Sequence, residues 1–281
     1  AGVDIVDVAV APYSGLTSQP NMNSLVEMMR FQDRDTKLDM DKLSHTADYW
    51  EVVREYYAPF ESVQKASTAE VYRHEMPGGQ YTNLFQQAHS MGLAARWNEI
   101  CQTYADVNQL FGDIVKVTPS SKVVGDLAIY LVTNDIKTYE VMNADKDISF
   151  PNSVVDLFKG GLGQPPGGWP KELQQKVLRG ATPMSDRPGA LMPSIDLELK
   201  KEEVQSKISR PVTNEELMSY LMYPDVFTDY ARFRNNNGDV SVIPTPIFFY
   251  GLPLNEEVSF EIEPGKTLII KFVTASEPNE E

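Results

Sequence analysis

The chain has 281 residues, and 25 Lys plus Arg against 40 Asp plus Glu leave a formal net charge of −15. An apolar share of 42% with 23% charged residues suits a packed globular chain of one large or two modest domains, and excludes a disordered one. The acidic balance argues against nucleic acid as a partner, because binding a phosphate backbone rests on Lys and Arg.

The chain opens at Ala1, without Met, directly into Val3-Asp4-Ile5-Val6-Asp7-Val8-Ala9-Val10, which reads as one strand buried on at least one face. No basic n-region precedes it, so no signal peptide is expected, and a chain that starts inside a core element reads as a piece of something longer. The loop Pro12 to Pro20 and a short helix near Ser24 to Phe31 complete one strand–loop–helix unit, which by itself has no neighbouring strands to pair with.

From about residue 39 to 135 the pattern is helical. Tyr49, Trp50, Val53, Tyr56 and Tyr57 share one helical face, and Pro59 ends that helix. Leu84, Ala88 and Met91 mark a second helix after Pro77-Gly78-Gly79. Trp97, Ile100, Cys101, Tyr104 and Phe111 mark a third, closed by Gly112. Cys101 is the only cysteine, which leaves no internal disulfide or thiolate metal cluster and fits a reducing compartment. A fourth helix starts at Thr118-Pro119, with Thr as N-cap and Pro at the first helical position. It contains the longest apolar run, Leu127 to Val132, six residues long; a membrane helix needs roughly 18 or more. These apolar stripes read as core.

Residues 160–195 are rich in Gly and Pro, with a short helix expected around Lys171 to Leu178. Thr213-Asn214-Glu215-Glu216 is a capping box that opens a helix, another helix follows Pro224, and Asn235-Asn236-Asn237-Gly238 reads as the clearest linker. Beyond it the period changes to two. Ser241 to Tyr250, interrupted by Pro244 and Pro246, reads as an edge strand. Val258, Phe260 and Ile262, the turn Pro264-Gly265, then Leu268, Ile270 and Phe272 read as a β-hairpin. Such a module forms a poor core alone and needs a partner surface or further strands.

No complete catalytic motif is present. Gly265-Lys266-Thr267 lacks the upstream Gly of a phosphate loop, since position 260 is Phe, and it joins two strands. Gly161-Leu162-Gly163 lacks a third Gly. His45, His74 and His89 have no metal-binding spacing, and there is no G-x-S-x-G elbow. Two stretches remain, Tyr72-Arg73-His74-Glu75-Met76-Pro77-Gly78-Gly79-Gln80-Tyr81-Thr82-Asn83 and Lys116-Val117-Thr118-Pro119-Ser120-Ser121-Lys122-Val123-Val124-Gly125-Asp126. Each sets polar groups at a helix N-terminus, where free N–H groups gather, and the second adds hydroxyls and an ammonium, a ready site for an anion or a polar carbonyl. On the residues alone, Thr118 as a plain N-cap and Gly78-Gly79 as a plain turn stay open.

At these stretches the sequence resembles the carboxyltransferase region of the pyruvate carboxylase family. The resemblance also takes in Ala1 to Val10, Ser14-Gly15-Leu16-Thr17-Ser18-Gln19-Pro20, Leu221-Met222-Tyr223-Pro224-Asp225-Val226-Phe227, and Phe248-Phe249-Tyr250-Gly251 through Gly265-Lys266-Thr267-Leu268. It implies an α/β to mostly α fold: the last βα unit of an incomplete (β/α)8 TIM barrel, a helical funnel, and a small β-rich segment. The implied domains are 1–38 for the final barrel strand and helix, 39–236 for the funnel, and 237–281 for part of an allosteric and tetramerisation domain.

The resemblance implies that Thr118 shuttles a proton and that Gln80, Ser121 and Lys122 line a biotin pocket. The implied reaction passes a carboxyl group from carboxybiotin to pyruvate, giving oxaloacetate. The family's divalent metal, such as Zn or Mn, has ligands expected upstream of residue 1. Its biotin-carrying lysine is expected after Glu281, and ATP/Mg is used by a domain absent here, so this chain alone is expected to be inactive. A homotetramer, an acyl-CoA effector, and a cytoplasmic location (the mitochondrial matrix in a eukaryote) belong to the same implication. The alternatives are a subunit of a biotin-dependent oxaloacetate decarboxylase or transcarboxylase, and a non-catalytic assembly module.

Overall fold

The computed structural model describes residues 2–61, 64 and 66–275; Ala1, where the opening stretch begins, lies outside them. The chain forms two compact units, residues 1–192 and 193–281. This is a division by packing, whereas the three-domain division above is one of family architecture.

In the first unit the opening stretch makes no strand. Its one ladder contact is a parallel bridge between Ala9 and Asn21, with Ala9 N donating to Pro20 O at 3.0 Å and Met22 N to Ala9 O at 2.8 Å. Val3, Ile5 and Val6 are exposed. A strand forms only where a neighbour pairs with its N–H and C=O groups along its length, and among the described residues only Ala9 is paired in this way. Helices follow: α1 (Met22–Met29), α2 (Met40–Tyr56), α3 (Val71–His74), α4 (Gly78–Ser90), α5 (Trp97–Leu110), α6 (Ser120–Thr133), α7 (Asn152–Lys159), α8 (Lys171–Leu178) and α9 (Pro188–Leu191). The Asp39 carboxylate starts α2 by accepting from the N–H groups of Asp41 and Lys42. Pro59 falls in the 3-10 turn just beyond its end, as the sequence predicts.

α6 is the centre of this unit. Val123, Val124, Leu127, Ala128, Ile129, Leu131 and Val132 are all buried, and a helix apolar nearly all round must be covered on all sides. α4, α5 and α7 cover it. The core closes with Phe111, Phe158 and Trp169, whose rings meet at 4.9 Å (Phe111–Phe158) and 4.5 Å (Phe158–Trp169).

The second unit contains α10 (Leu197–Ile208), α11 (Asn214–Met222), α12 (Pro224–Asn237), α13 (Thr245–Tyr250), β1 (Glu257–Glu263) and β2 (Lys266–Lys271). The expected capping box is present at Thr213 and Glu216. The expected linker is instead the last turn of α12: Asn235 Nδ2 donates to Ile208 O and Asn237 Nδ2 to Phe233 O, both at 2.9 Å, and Gly238 ends the helix at φ 75°. In place of the expected edge strand at 241–250 stand a 3-10 turn (Val240–Val242) and α13, since prolines before and within a first helical turn remove only N–H groups that have no helical partner. β1 and β2 form the predicted antiparallel hairpin, with Val258 opposite Ile270 and Phe260 opposite Leu268. Overall the chain is mostly helical with a small two-stranded sheet.

Candidate functional site

The two polar stretches are joined physically. Glu75 sits just after α3 at φ 55°, and its Oε2 accepts from Lys116 Nζ at 2.9 Å. Beside it, His74 is buried, and its Nδ1 accepts the Met76 N–H at 2.9 Å. Burial holds the imidazole pKa below its ordinary value.

α4 begins at Gly78, so Gly78 and Gly79 are helical and do not form a turn. Gly78 lies against the loop after the opening stretch: a Cβ there would overlap the Thr17 carbonyl oxygen and stand 3.2 Å from Thr17 Cα. Thr17 and Thr82 share a hydroxyl contact at 3.0 Å. Gln80, in the first turn of α4, is 8% exposed. Its amide makes no hydrogen bond among the described residues and rests against Gly125 of α6.

α6 begins at Ser120, one residue later than the sequence reading, and no side chain caps it. Thr118 is therefore not the N-cap. Ser120 organises this end instead: its Oγ accepts from Val117 N at 3.0 Å and donates to Val117 O at 2.7 Å. The Thr118–Pro119 peptide bond is cis. Thr118 is exposed, and its hydroxyl has no hydrogen-bond partner among the described residues.

Ser121 is 5% exposed, and its Oγ likewise has no hydrogen-bond partner among the described residues. It lies one turn above Gly125, so the α4–α6 contact brings Gln80 and Ser121 to one helix face. Lys122 lies about 100° further round the helix. Its Nζ donates to both oxygens of Asp126 at 3.0 and 2.8 Å, and Ser153 Oγ of α7 donates to Asp126 Oδ2 at 2.7 Å. The Lys122 charge is thus paired, and only its third N–H is left for a ligand. Sequence reasoning gave Gly125, Asp126 and Ser153 no role. A glycine inside an apolar helix and an acid four residues after a lysine were the available signals.

A cleft lined by Glu70, Arg73, His74, Tyr81, Trp97 and Cys101 contains none of these four residues. Its Cys101 thiol is pushed up to about 12 by burial, which makes it no nucleophile at neutral pH. Among the described residues no group of three or more His, Cys, Asp or Glu could hold a metal ion. The divalent metal implied by the resemblance therefore has no ligand set on them. No described helix is long and apolar enough to cross a membrane.

Residues 71–271 match the family model described as the conserved carboxylase domain. The chain belongs to the conserved carboxylase domain family. It is 48% identical over 278 residues to the pyruvate carboxylase of Bacillus subtilis (strain 168), an alignment taking in 99% of this chain and 24% of that relative. It is 42% identical over 281 residues to the mitochondrial pyruvate carboxylase of Homo sapiens, with 99% of this chain and 24% of the relative covered. The carboxyl transferase domain of Rhizobium etli pyruvate carboxylase, solved with pyruvate and biocytin, matches with a TM-score of 0.90 and 52% identity over 95% of this chain and 45% of that one. This conserved carboxylase domain chain thus spans 24% of the length of both full-length relatives.

Proposed function

We propose that this chain forms the helical part of the carboxyltransferase site of a biotin-dependent pyruvate carboxylase, where a carboxyl group passes from carboxybiotin to pyruvate and oxaloacetate results. Residues 1–38 then belong to the last βα unit of a (β/α)8 barrel, 39–236 to the funnel, and 237–281 to an allosteric and tetramerisation domain. The observation that carries this reading is the pair Gln80 and Ser121: two largely buried residues, whose side chains make no hydrogen bond among the described residues, share one face of α6, and Ser121 lies three residues from the exposed Thr118. Neither polar group is among the side-chain atoms sealed from water without a partner, so both stay open to a ligand rich in hydrogen-bonding groups, which replaces water there.

Carboxybiotin supplies the carboxyl group at its ureido nitrogen. The chain's residues do the rest of the work at this edge. Gln80 Nε2 and the Ser121 hydroxyl donate to the ureido oxygen and offset charge developing there; such a positioned donor contributes about 3–4 kcal/mol to the transition state. Lys122, held by Asp126, adds its remaining N–H. Pyruvate's methyl carbon must lose a proton and the ureido nitrogen must gain one. The Thr118 hydroxyl is a weak base, but it accepts the first proton while giving up its own to the second site.

The test uses a full-length carboxylase carrying this segment. Thr118→Ala should lower pyruvate carboxylation by about 100-fold or more, while bicarbonate-dependent ATP cleavage continues. Carboxylation near the parental rate would remove Thr118 from this role.

A further inference from the structure

Gly125 has no conformational reason to be glycine. It lies within α6 and is not among the residues with positive φ, and helix propensity alone favours alanine there. Space is the reason. A Cβ at this position would overlap Gln80 Nε2 and stand 3.0 Å from Leu84 Cδ1. We infer that Gly125 is a positioning residue, whose missing side chain lets the Gln80 amide lie across α6 one turn below Ser121, where both can meet the ureido group of biotin. The inference rests on the carboxyl-transfer reading of Gln80 and adds the element that holds it in place.

The geometry also says how a substitution would act. The overlapped atom is the far end of a flexible side chain, whereas α6 itself is held by α4, α5 and α7 packed on its buried residues. The clash in Gly125→Ala is therefore relieved by swinging the Gln80 amide out of the α4–α6 contact. The helix stays and the donor leaves.

The experiment compares Gly125→Ala, Gln80→Ala and the double variant in a full-length carboxylase. Carboxyl transfer from oxaloacetate to free biocytin is followed as pyruvate release, with Tm recorded for each. Gly125→Ala should raise KM for biocytin about tenfold, as expected for a lost donor, with Tm near the parental value and a smaller change in kcat. In the Gln80→Ala background it should raise KM little further, because the atom it displaces is already gone. A parental KM in Gly125→Ala, or an effect that adds in full to that of Gln80→Ala, overturns the role of Gly125 alone. A parental KM in Gln80→Ala overturns the assignment of Gln80, and the inference falls with it. If Gly125→Ala lowers Tm, Gln80→Asn carries the test. It keeps the amide but withdraws it by one methylene from its seat over Gly125, so KM should rise as in Gln80→Ala, and a parental KM overturns the proposal.

Discussion

His74 shows how a single titratable residue couples burial to stability. It is 5% exposed, and its Nδ1 accepts the Met76 N–H at 2.9 Å, so the neutral ring carries its proton on Nε2. Protonating Nδ1 would set two donors against each other in a buried place. Burial lowers the folded-state pKa, and the nearby Glu70 charge only partly opposes this. Below about pH 6.5 the unfolded chain therefore binds more protons than the folded one. The stabilisation is present above that value and is lost as pH falls through the folded pKa. Tm should drop between pH 7 and pH 5.5, and His74→Asn, which keeps an acceptor but does not titrate, should drop less. Equal losses in both proteins would place the sensitivity elsewhere. Thr118 teaches a related point, because Thr before Pro predicts an N-cap, yet Ser120 organises that end of α6 and the threonine hydroxyl has no partner among the described residues.

Among the helices, two glycines of opposite consequence frame the site. A Cβ on Gly125 meets a movable amide, but a Cβ on Gly78 meets the Thr17 backbone, which cannot swing aside. Gly78→Ala should therefore push the 14–20 loop off the start of α4 and cost about 1–3 kcal/mol as overpacking does, read as a lower midpoint in urea unfolding. An unchanged midpoint would mean that the loop is not tightly docked. Elements built from local signals were legible in the sequence: the capping box at Thr213 and Glu216, the end of α2 before Pro59, and the 257–271 hairpin all depend on neighbours a few residues apart. The 3–10 strand was not, because strand formation depends on a partner, and 241–250 was misread because proline fits both an edge strand and a helix's first turn. At the site, Gln80, Thr118, Ser121 and Lys122 came from family resemblance. The Gln80–Gly125 contact and the Asp126–Ser153 support join separate helices, so no spacing rule could expose them.

Across the whole molecule, the two units carry separate hydrophobic clusters. One runs from Met76 to Leu178 and surrounds α6; the other joins Val204, Ile208, Val212, Leu217, Tyr220, Phe227 and Ala231. The smaller cluster is braced by polar links of its own. Arg210 donates to both oxygens of Glu216 at 2.9 and 2.6 Å, and Glu203 accepts from Lys200, Lys207 and Tyr220. These links hold the Glu203 carboxyl down at about 2, so they persist through the mildly acidic range. Phe227 is 5% exposed and packs edge-on to Tyr220 at 6.1 Å. Phe227→Ala should cost that cluster about 3–5 kcal/mol, since so large a cavity collapses only partly. Because no buried residue is shared between the clusters, amide exchange should quicken across α10 to α12 while protection in α6 stays parental. Leu127→Ala should give the reverse pattern. Loss of α6 protection in Phe227→Ala would instead mean that the two cores unfold as one cooperative unit, and a substitution in the second unit would then disturb Gln80 and Ser121 as well.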